Sequence, residues 1–562
     1  MSTPSHGTAD AVDPALLADP PQNGLAGLKH WRHDLLAGLV VSLVSLPLSS
    51  GIAIASGAPP IYGLISSIIA GLVFPLIGGS FVTISGPAAG LAPALLATMV
   101  ALGGAGDAET VGAGYPMLLV VIFITGLVQL VMAWAGLARF SAVFPASVVE
   151  GMLGAIGVLI LVKALPLFFG YTSAVHAHGF TAYLAELPEW VAHGDHGAAA
   201  VGAVSVVVLF AAGSPAARRL RVFRTVPPHV FGAVVGIAGA LALGLGASDP
   251  SLMIAVPENP LSGIQLPAFG ELFARRELWS AAAIGVVTLT LIDGVESLAT
   301  AQAVDRIDPF RRQSSPGRVL GAMGLSNVVS SLVGGLTVIP GGVKSKTCIE
   351  AGGRTLWANF ANAGFLLVFL FVAPGLMALL PKATLGAILV YTGWKMVHPS
   401  IARHLAEVGR EQLLLYGMTV AAVLATNLLE GILIGTGLKL LLVGVHARRA
   451  GVAGGRVVRA LFSNPVSEVE LRNDEIIVHV QHPVVCFNAY RLVETLHGVS
   501  REERPVRLRL EEGTAVLDHT ALEALKAAGV ELSGGPGAVQ IEGLDRFRSE
   551  SSHLTALRVR AA

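Results

Sequence analysis

Charge is scarce in this chain. Asp, Glu, Lys and Arg make up 13% of its 562 residues, and 37 basic side chains cancel 37 acidic ones. Without a basic surplus there is no overall electrostatic footprint for nucleic acid. Cysteine is nearly absent as well. Cys348 and Cys486 lie in different regions, which excludes a disulfide framework and a cysteine metal cluster. No Walker-type phosphate loop occurs, so this chain alone does not run on ATP, and nothing in the pattern supports an enzyme. A cleavable leader is also missing. Residues 1–28 are rich in Pro, Asp and Ala and read as a disordered cytoplasmic lead, and the apolar run after Lys29, Arg32 and His33 is long enough to be a membrane helix.

What the chain has instead is apolar length. Hydrophobic residues form 53% of it, and its mean hydropathy is +0.69. The stretch from Asp34 to Val443 is almost continuously apolar, whereas a soluble fold leaves most helices with a wet face. The chain therefore reads as a polytopic α-helical membrane protein, a transporter or channel by its polar interruptions. Spans fall near 34–56, 61–79, 84–104, 115–137, 145–164, 196–213 and 227–247. After the connecting loop 251–277 they resume near 278–303, 318–335, 341–355, 357–377, 383–394, 411–427 and 430–444. Fourteen spans in two sets of seven give repeats over 29–250 and 278–445, followed by a polar tail over 453–562. The third span of each set is interrupted by Gly and Pro, a pattern that points to inverted repeats with half-helices meeting at the membrane midplane.

Basic residues orient the chain. Lys29, Arg32, Arg218, Arg219, Arg221, Arg224, Arg306, Arg311, Arg312, Arg318, Lys395, Arg403, Arg410, Arg448 and Arg449 fall on one side of a fourteen-span arrangement. That side is the cytoplasm, and it holds both termini. Arg275 and Arg276 dissent. The segment 170–195 has no Lys or Arg and reads as a polar loop on the far side. It and its edge hold His176, His178, His193, Asp195 and His196, whose loose spacing is explained by solvent exposure as well as by a metal, so no metal site is assigned.

Two helix starts stand out. Ser85 is a natural cap for a helix opening at Thr83–Ala89, Pro87 is harmless in a first turn, and Gly86, Ala88 and Ala89 leave backbone N–H groups open. Gly334–Gly342 precedes a second start at Val343-Lys344-Ser345. Two N-termini facing each other from opposite leaflets form an anion site without a basic side chain. The eighth span carries Asp293 and Glu296, and ionisable groups inside a span are functional hypotheses by default. Glu296 and Thr300 share a helix face and could hold Na⁺, or the carboxylate alone could carry a proton. A Glu296–Lys344 ion pair is the structural alternative. Lys163 reads as a snorkelling cation near the end of the fifth span.

These segments resemble the sulfate permease family of anion transporters. The motifs concerned are DLLAGLVVSLVSLPLSSGIAIASGAPPIYGL from Asp34, ISGPAAG from Ile84, FPASVVEGMLGAIGVLI from Phe144, ESLATAQAVDRID from Glu296 and GGLTVIPGGVKSKTCIEAGGRT from Gly334. The resemblance covers residues 30–445. It implies a 7+7 inverted-repeat fold with core and gate domains, elevator-like transport and a homodimer in a bacterial inner membrane. It also implies an anion held by Ser85, Ala88 and Ala89 of the third span and Pro340, Gly341, Gly342 and Val343 of the tenth. Glu296 and Thr300 match the coupling-ion positions of the family's sodium-coupled bicarbonate transporters, with Asp293 and Lys344 as support. Four positions depart from those transporters: Glu296 replaces Asp, Ala88 replaces Thr, and Gly341-Gly342 replaces Ala-Thr. Fewer hydroxyl ligands weaken sodium coupling, and a longer carboxylate suits a proton. The family's acid near Pro47–Ser50 is also missing.

The tail alternates strands and helices. Glu475–Val480 and Pro505–Glu512 read as strands, His519–Gly529 as a helix with a Gly stop, and Ala538–Gly543 as a strand that closes the sheet. It resembles a degenerate STAS domain, with Gln481–Leu496 as its first strand-to-helix unit. His519 stands where a phosphorylatable serine often lies, which points to dimerisation or trafficking rather than a phosphoswitch. Bicarbonate leads the expected substrates, ahead of sulfate and of oxalate or another dicarboxylate. A channel-like protein is the alternative of a different class.

Overall fold

The computed structural model describes residues 20–560 apart from 107–109, 139–144, 172–179, 221, 224–225, 255–263, 311, 373, 427, 452–458, 473, 500–503 and 533–538. The first half contains α1 (Trp31–Ala55), α2 (Pro60–Ile77), a three-residue strand β1 (Ser85–Pro87), a short helix α3 (Ala92–Ala101), α4 (Tyr115–Trp134), α5 (Ala146–Phe168), α6 (Phe180–His193), α7 (His196–Gly213) and α8 (Pro228–Leu243). The second half contains α9 (Trp279–Ile307), α10 (Pro316–Leu332), strand β2 (Val338–Pro340), α11 (Gly342–Glu350), α12 (Trp357–Val372), α13 (Lys382–Met396), α14 (Pro399–Val408), α15 (Arg410–Ala425) and α16 (Leu428–Arg449). Among the described residues, α1, α2, α4, α5, α7, α9 and α16 are long and apolar enough to cross a bilayer, and α3, α8 and α12 are shorter apolar helices. The chain is a polytopic α-helical membrane protein with a small α/β region at its C-terminal end.

Local sequence explains the helix limits. Proline occupies the first turn of α2, α4, α8, α10 and α14, where its missing N–H has no intrahelical partner to lose. Asp195 caps α7 by accepting the Ala198 N–H at 2.6 Å. With little hydrophobic drive between helices in lipid, close backbone approach supplies the packing. Gly126 on α4 and Gly324 on α10 show this reciprocally. A side chain at either would run into the carbonyl of the other, at 2.6 and 2.8 Å.

Several expectations need correction. The third span does not open as a helix capped by Ser85: residues 85–87 are extended, and α3 begins at Ala92 after Leu91. A buried partner strand 250 residues away gives the backbone a better set of hydrogen bonds than a local cap does. The segment 170–195 is no plain loop, because Phe180–His193 is the helix α6. His176 and His178 lie outside the described residues, while Asp195 is engaged in capping and His193 lies 3.2 Å from the Glu189 carbonyl. The lead is ordered over Gly24–His30, a 3₁₀ turn. Asn23 anchors it, donating to the Ser80 carbonyl at 2.6 Å and accepting from the Leu356 N–H at 3.0 Å. Lys163 is five residues inside the C-terminal end of α5.

The chain divides into two compact units. One comprises 1–138 and 159–394, the other 139–158 and 395–562. The second unit joins α14, α15, α16 and the N-terminal part of α5 to the tail. There β3 (Val466–Leu471), β4 (Ile476–Val480), β5 (Val506–Leu510), β7 (Val530–Glu531) and β8 (Val539–Glu542) form a sheet of order β3-β4-β5-β8-β7. The strand expected to close the sheet, β8, lies inside it between β5 and β7. A smaller sheet pairs β6 (Val516–Leu517), β10 (Arg558–Arg560) and β9 (Phe547–Ser549). Helices α17 (Ala489–Val499) and α18 (His519–Ala527) pack their apolar sides against the larger sheet, with Leu492, Leu496, Leu522 and Leu525 fully buried. His519 is buried and lies 2.9 Å from the Thr555 carbonyl.

Membrane helices and tail share one core in this unit. Val443 and Ala447 of α16 pack with Val485, Phe487, Val516 and Leu557. Tail side chains also complete helix ends. The Thr520 hydroxyl accepts the Ala146 N–H of α5 at 3.0 Å, and the Glu550 carboxylate accepts the Glu411 N–H of α15 at 3.1 Å. Ser551 donates to the Glu407 and Val408 carbonyls at the end of α14, each at 2.8 Å. Below these lies a buried charge network. Lys439 of α16 contacts Glu411 at 2.7 Å and Asp518 at 3.7 Å, and His446 meets the other Glu411 oxygen at 2.7 Å. Asp518 accepts from the Ala521 and Cys486 N–H groups at 2.7 and 2.9 Å. Burial, reinforced by the neighbouring Asp518 charge, raises the Cys486 thiol well above its ordinary range, so this thiol stays protonated and inert.

Candidate functional site

Two short strands pair in the interior of the first unit. β1 and β2 are antiparallel, with Ser85 opposite Pro340, Gly86 opposite Ile339 and Pro87 opposite Val338. All six residues are buried. The Gly341 N–H extends the ladder to the Ile84 carbonyl at 2.7 Å. So small a sheet leaves orphan backbone groups along both edges, and in a membrane interior water is not there to pair them. Side chains from neighbouring helices do so. Asn359 of α12 accepts the Ser85 N–H at 3.1 Å and donates to the Thr83 carbonyl at 2.8 Å. Asn327 of α10 accepts the Val338 N–H at 2.6 Å, Ser66 of α2 the Leu336 N–H at 2.7 Å, and Ser345 of α11 the Ile84 N–H at 2.9 Å.

Each strand runs into a short helix whose N-terminus has no side-chain cap. α11 follows Gly341 in extended conformation, and α3 follows the turn Ala88–Leu91. Uncapped first turns carry N–H donors and the positive end of the helix dipole. Gly342 is exposed and Gly341 and Val343 are half-buried, so the second start opens onto accessible space; Ala88 is buried, and Ala89 is half-buried beside Leu48 and Ile52.

α9 runs past both starts. A side chain at Gly90 would collide with the Glu296 carboxylate, and one at Gly342 would lie 3.7 Å from the Thr300 methyl. One turn of α9 therefore sets its carboxylate against the first helix start and its threonine against the second. Glu296 is 9% exposed, and its Oε2 has no hydrogen-bond partner among the described residues. Lys344 does not pair with it. The ammonium donates to Ser49 of α1 at 3.0 Å and Ser67 of α2 at 2.9 Å, hydroxyls that are themselves 2.7 Å apart. Its tip lies against Gly86 of β1, where any side chain would strike it. Asp293 points elsewhere, to Asn327 at 2.8 Å and Ser297 at 3.0 Å.

Of the residues expected to share a site, Ser85, Pro340, Gly341, Gly342, Glu296, Thr300 and Lys344 surround the crossing and its two helix starts. Ser85 serves the crossing through its backbone, while its hydroxyl donates to the Ala70 carbonyl at 3.1 Å. Sequence reasoning missed Gly90, Asn327, Asn359 and Ser67. Asparagines within apolar runs were the available signal, because a buried amide demands partners. Glu296 and Thr300 offer one carboxylate and one hydroxyl to a cation, a sparse set for Na⁺ and a sufficient one for a proton.

The close approach at Gly90 has a measurable consequence. Gly90→Ala displaces the Glu296 carboxylate, whose flexible end gives way, so the variant should stay as thermostable as the parent while transport falls. A Gly90→Ala variant with parental transport rates would show that the carboxylate position does not matter.

The chain is similar to known proteins over most of its length. A model of the sulfate permease family matches residues 31–419. The chain is 26% identical over 456 residues to the bicarbonate transporter BicA of Synechocystis sp. (strain ATCC 27184 / PCC 6803 / Kazusa), covering 80% of this chain and 74% of the relative. It is 27% identical over 425 residues to a probable sulfate transporter of Mycobacterium tuberculosis (strain CDC 1551 / Oshkosh), covering 74% and 70%. The transmembrane domain of a cyanobacterial BicA superposes with a TM-score of 0.63 at 23% identity, covering 72% of this chain and 98% of that one. Because that family model matches well over half its length, the chain belongs to the sulfate permease family.

Proposed function

We propose that this chain is a secondary transporter of a small inorganic anion, with bicarbonate as the substrate. The observation that carries the reading is the pairing of β1 and β2, which leads into two uncapped helix starts near a buried carboxylate, one oxygen of which has no hydrogen-bond partner among the described residues. The anion is bound by backbone N–H groups around Ser85, Ala88 and Ala89 and around Pro340, Gly341, Gly342 and Val343, with the Lys344 ammonium behind β1 adding positive potential. Glu296, assisted by Thr300, takes up the coupling proton, with Na⁺ as the alternative ion. Similarity to BicA supports bicarbonate.

The proposed architecture has fourteen spans in two inverted repeats of seven. Its support is a set of matching contacts. α2 packs on α12 as α10 packs on α4, and α1 packs on α12 as α9 packs on α4. Exchanging the halves turns each contact into its counterpart. Both termini are cytoplasmic in this reading, the membrane is a bacterial plasma membrane, the protein is a homodimer, and the site moves with an elevator-like core. The tail, as a degenerate STAS domain, braces helices rather than switching.

A panel of labelled bicarbonate, sulfate, oxalate and fumarate in proteoliposomes, each with and without a Na⁺ or pH gradient, tests the reading. Bicarbonate accumulation driven by one gradient is expected. Similarity to probable sulfate transporters makes sulfate the second reading, and accumulation of sulfate alone would replace bicarbonate by it. Flux insensitive to both gradients would indicate a channel-like protein. Gly342→Leu should block binding, since a bulky side chain at this exposed position covers the N–H donors; unchanged affinity would place the anion elsewhere.

A further inference from the structure

The polar groups between α4, α9 and α10 form a second structure that transport as proposed does not use. Asn327 is fully buried, and each of its side-chain polar atoms is engaged. Its amide N–H groups go to Gln129 Oε1 of α4 at 2.9 Å and Asp293 Oδ2 of α9 at 2.8 Å. Its carbonyl oxygen takes the Val338 N–H of β2 at 2.6 Å. Asp293, also fully buried, completes the set by accepting Ser297 at 3.0 Å. One amide thus ties three helices to the strand that leads into the second helix start.

We infer that Asn327, anchored by Asp293, is the positioning residue that locks α9 to β2, so that the Glu296 carboxylate and the Gly341–Val343 backbone keep a fixed geometry. This rests on the anion site proposed above. The physical argument is one of satisfaction. Val338 is fully buried, so its N–H needs a protein acceptor, and Asn327 is that acceptor. The amide is oriented because both of its donors have carboxylate or amide oxygens to meet. Remove either oxygen and the amide loses the contacts that aim its carbonyl at β2. Asp293 is then a hydrogen-bond acceptor in function, and its charge is incidental.

That distinction sets the test. Asp293→Asn keeps an oxygen for Asn327, and Ser297 can reverse its hydrogen bond. Asp293→Ala and Asn327→Ala remove the link. In full-length protein in proteoliposomes, with labelled bicarbonate or, if the panel finds sulfate carried instead, labelled sulfate, both alanine variants should raise KM by about tenfold, as expected when a buried donor loses its partner. Asp293→Asn should remain near the parental KM. A second readout is independent of the substrate. Val343→Cys places a thiol at the half-buried helix start, and Cys348 and Cys486 are both buried. Its modification rate by a charged thiol reagent should change in both alanine backgrounds and stay unchanged with Asp293→Asn.

Unchanged rates in every background would overturn the link. An Asp293→Asn variant as impaired as Asp293→Ala would overturn it too, by making the charge the functional property. If the parent carries none of the anions while the thiol rates shift as expected, the transport reading fails and the mechanical link stands.

Discussion

Glu296→Gln abolishes gradient-driven uptake while the protein stays folded and membrane-inserted. The two side chains have nearly the same shape, so the approach to Gly90 is preserved. What is lost is the capacity to bind and release a proton, or to neutralise a cation, beside Gly90. Glu296 Oε2 has no partner among the described residues, so the amide breaks no hydrogen bond of that oxygen there. Accumulation under an imposed pH or Na⁺ gradient should fall by about tenfold or more, over about 1.4 kcal/mol in barrier terms. Exchange of labelled for unlabelled anion at equal concentrations should fall less, since it needs no net coupling. A mutant that accumulates anion like the parent would remove Glu296 from the coupling step.

The second large effect concerns stability. Lys439 has no exposed surface, and Glu411 and Asp518 are 7% and 0% exposed. Taking one partner from a buried ion pair leaves an uncompensated charge, at a cost of about 3–5 kcal/mol. Lys439→Ala should therefore lower the melting temperature of the detergent-solubilised protein sharply. Lys439→Met with Glu411→Gln, which removes the two closest charges, keeps the volumes and leaves Asp518 with its two backbone N–H donors, should recover part of the loss. A double variant no better than Lys439→Ala would mean that side-chain packing, not charge, holds this region. Deleting 453–562 acts through the same contacts, because it removes Asp518 together with Thr520, Glu550 and Ser551 from the helix ends they complete. A truncated protein should thus be less stable, beyond any loss in expression.

The main helices were legible because their signals are local. Apolar runs such as Tyr115–Trp134 fix a helix by length and composition, and first-turn prolines fix where several begin. The family motifs were legible for the same reason, as contiguous strings around Ser85, Glu296 and Gly341. α6 was missed because its sequence is polar on one side and reads as a loop without its apolar contact, the buried Trp190. In the tail, Val466–Leu471 was missed because its alternation is weak and all six residues are half-exposed or exposed.

From the sequence alone, this chain is a multi-pass helical membrane protein with two Gly- and Pro-broken helix starts and an acid in a span between apolar neighbours. Those properties depend on composition and on spacings of a few residues. The tertiary structure decided that Ser85–Pro87 is a strand rather than a capped helix turn, because the partner that satisfies its backbone lies about 250 residues away. It decided also that Lys344 rests on Ser49 and Ser67 while the Glu296 carboxylate faces Gly90, and that Asp293 accepts from Asn327. Each of these choices is made by which buried donor finds which acceptor across the fold, and no local stretch of sequence contains both.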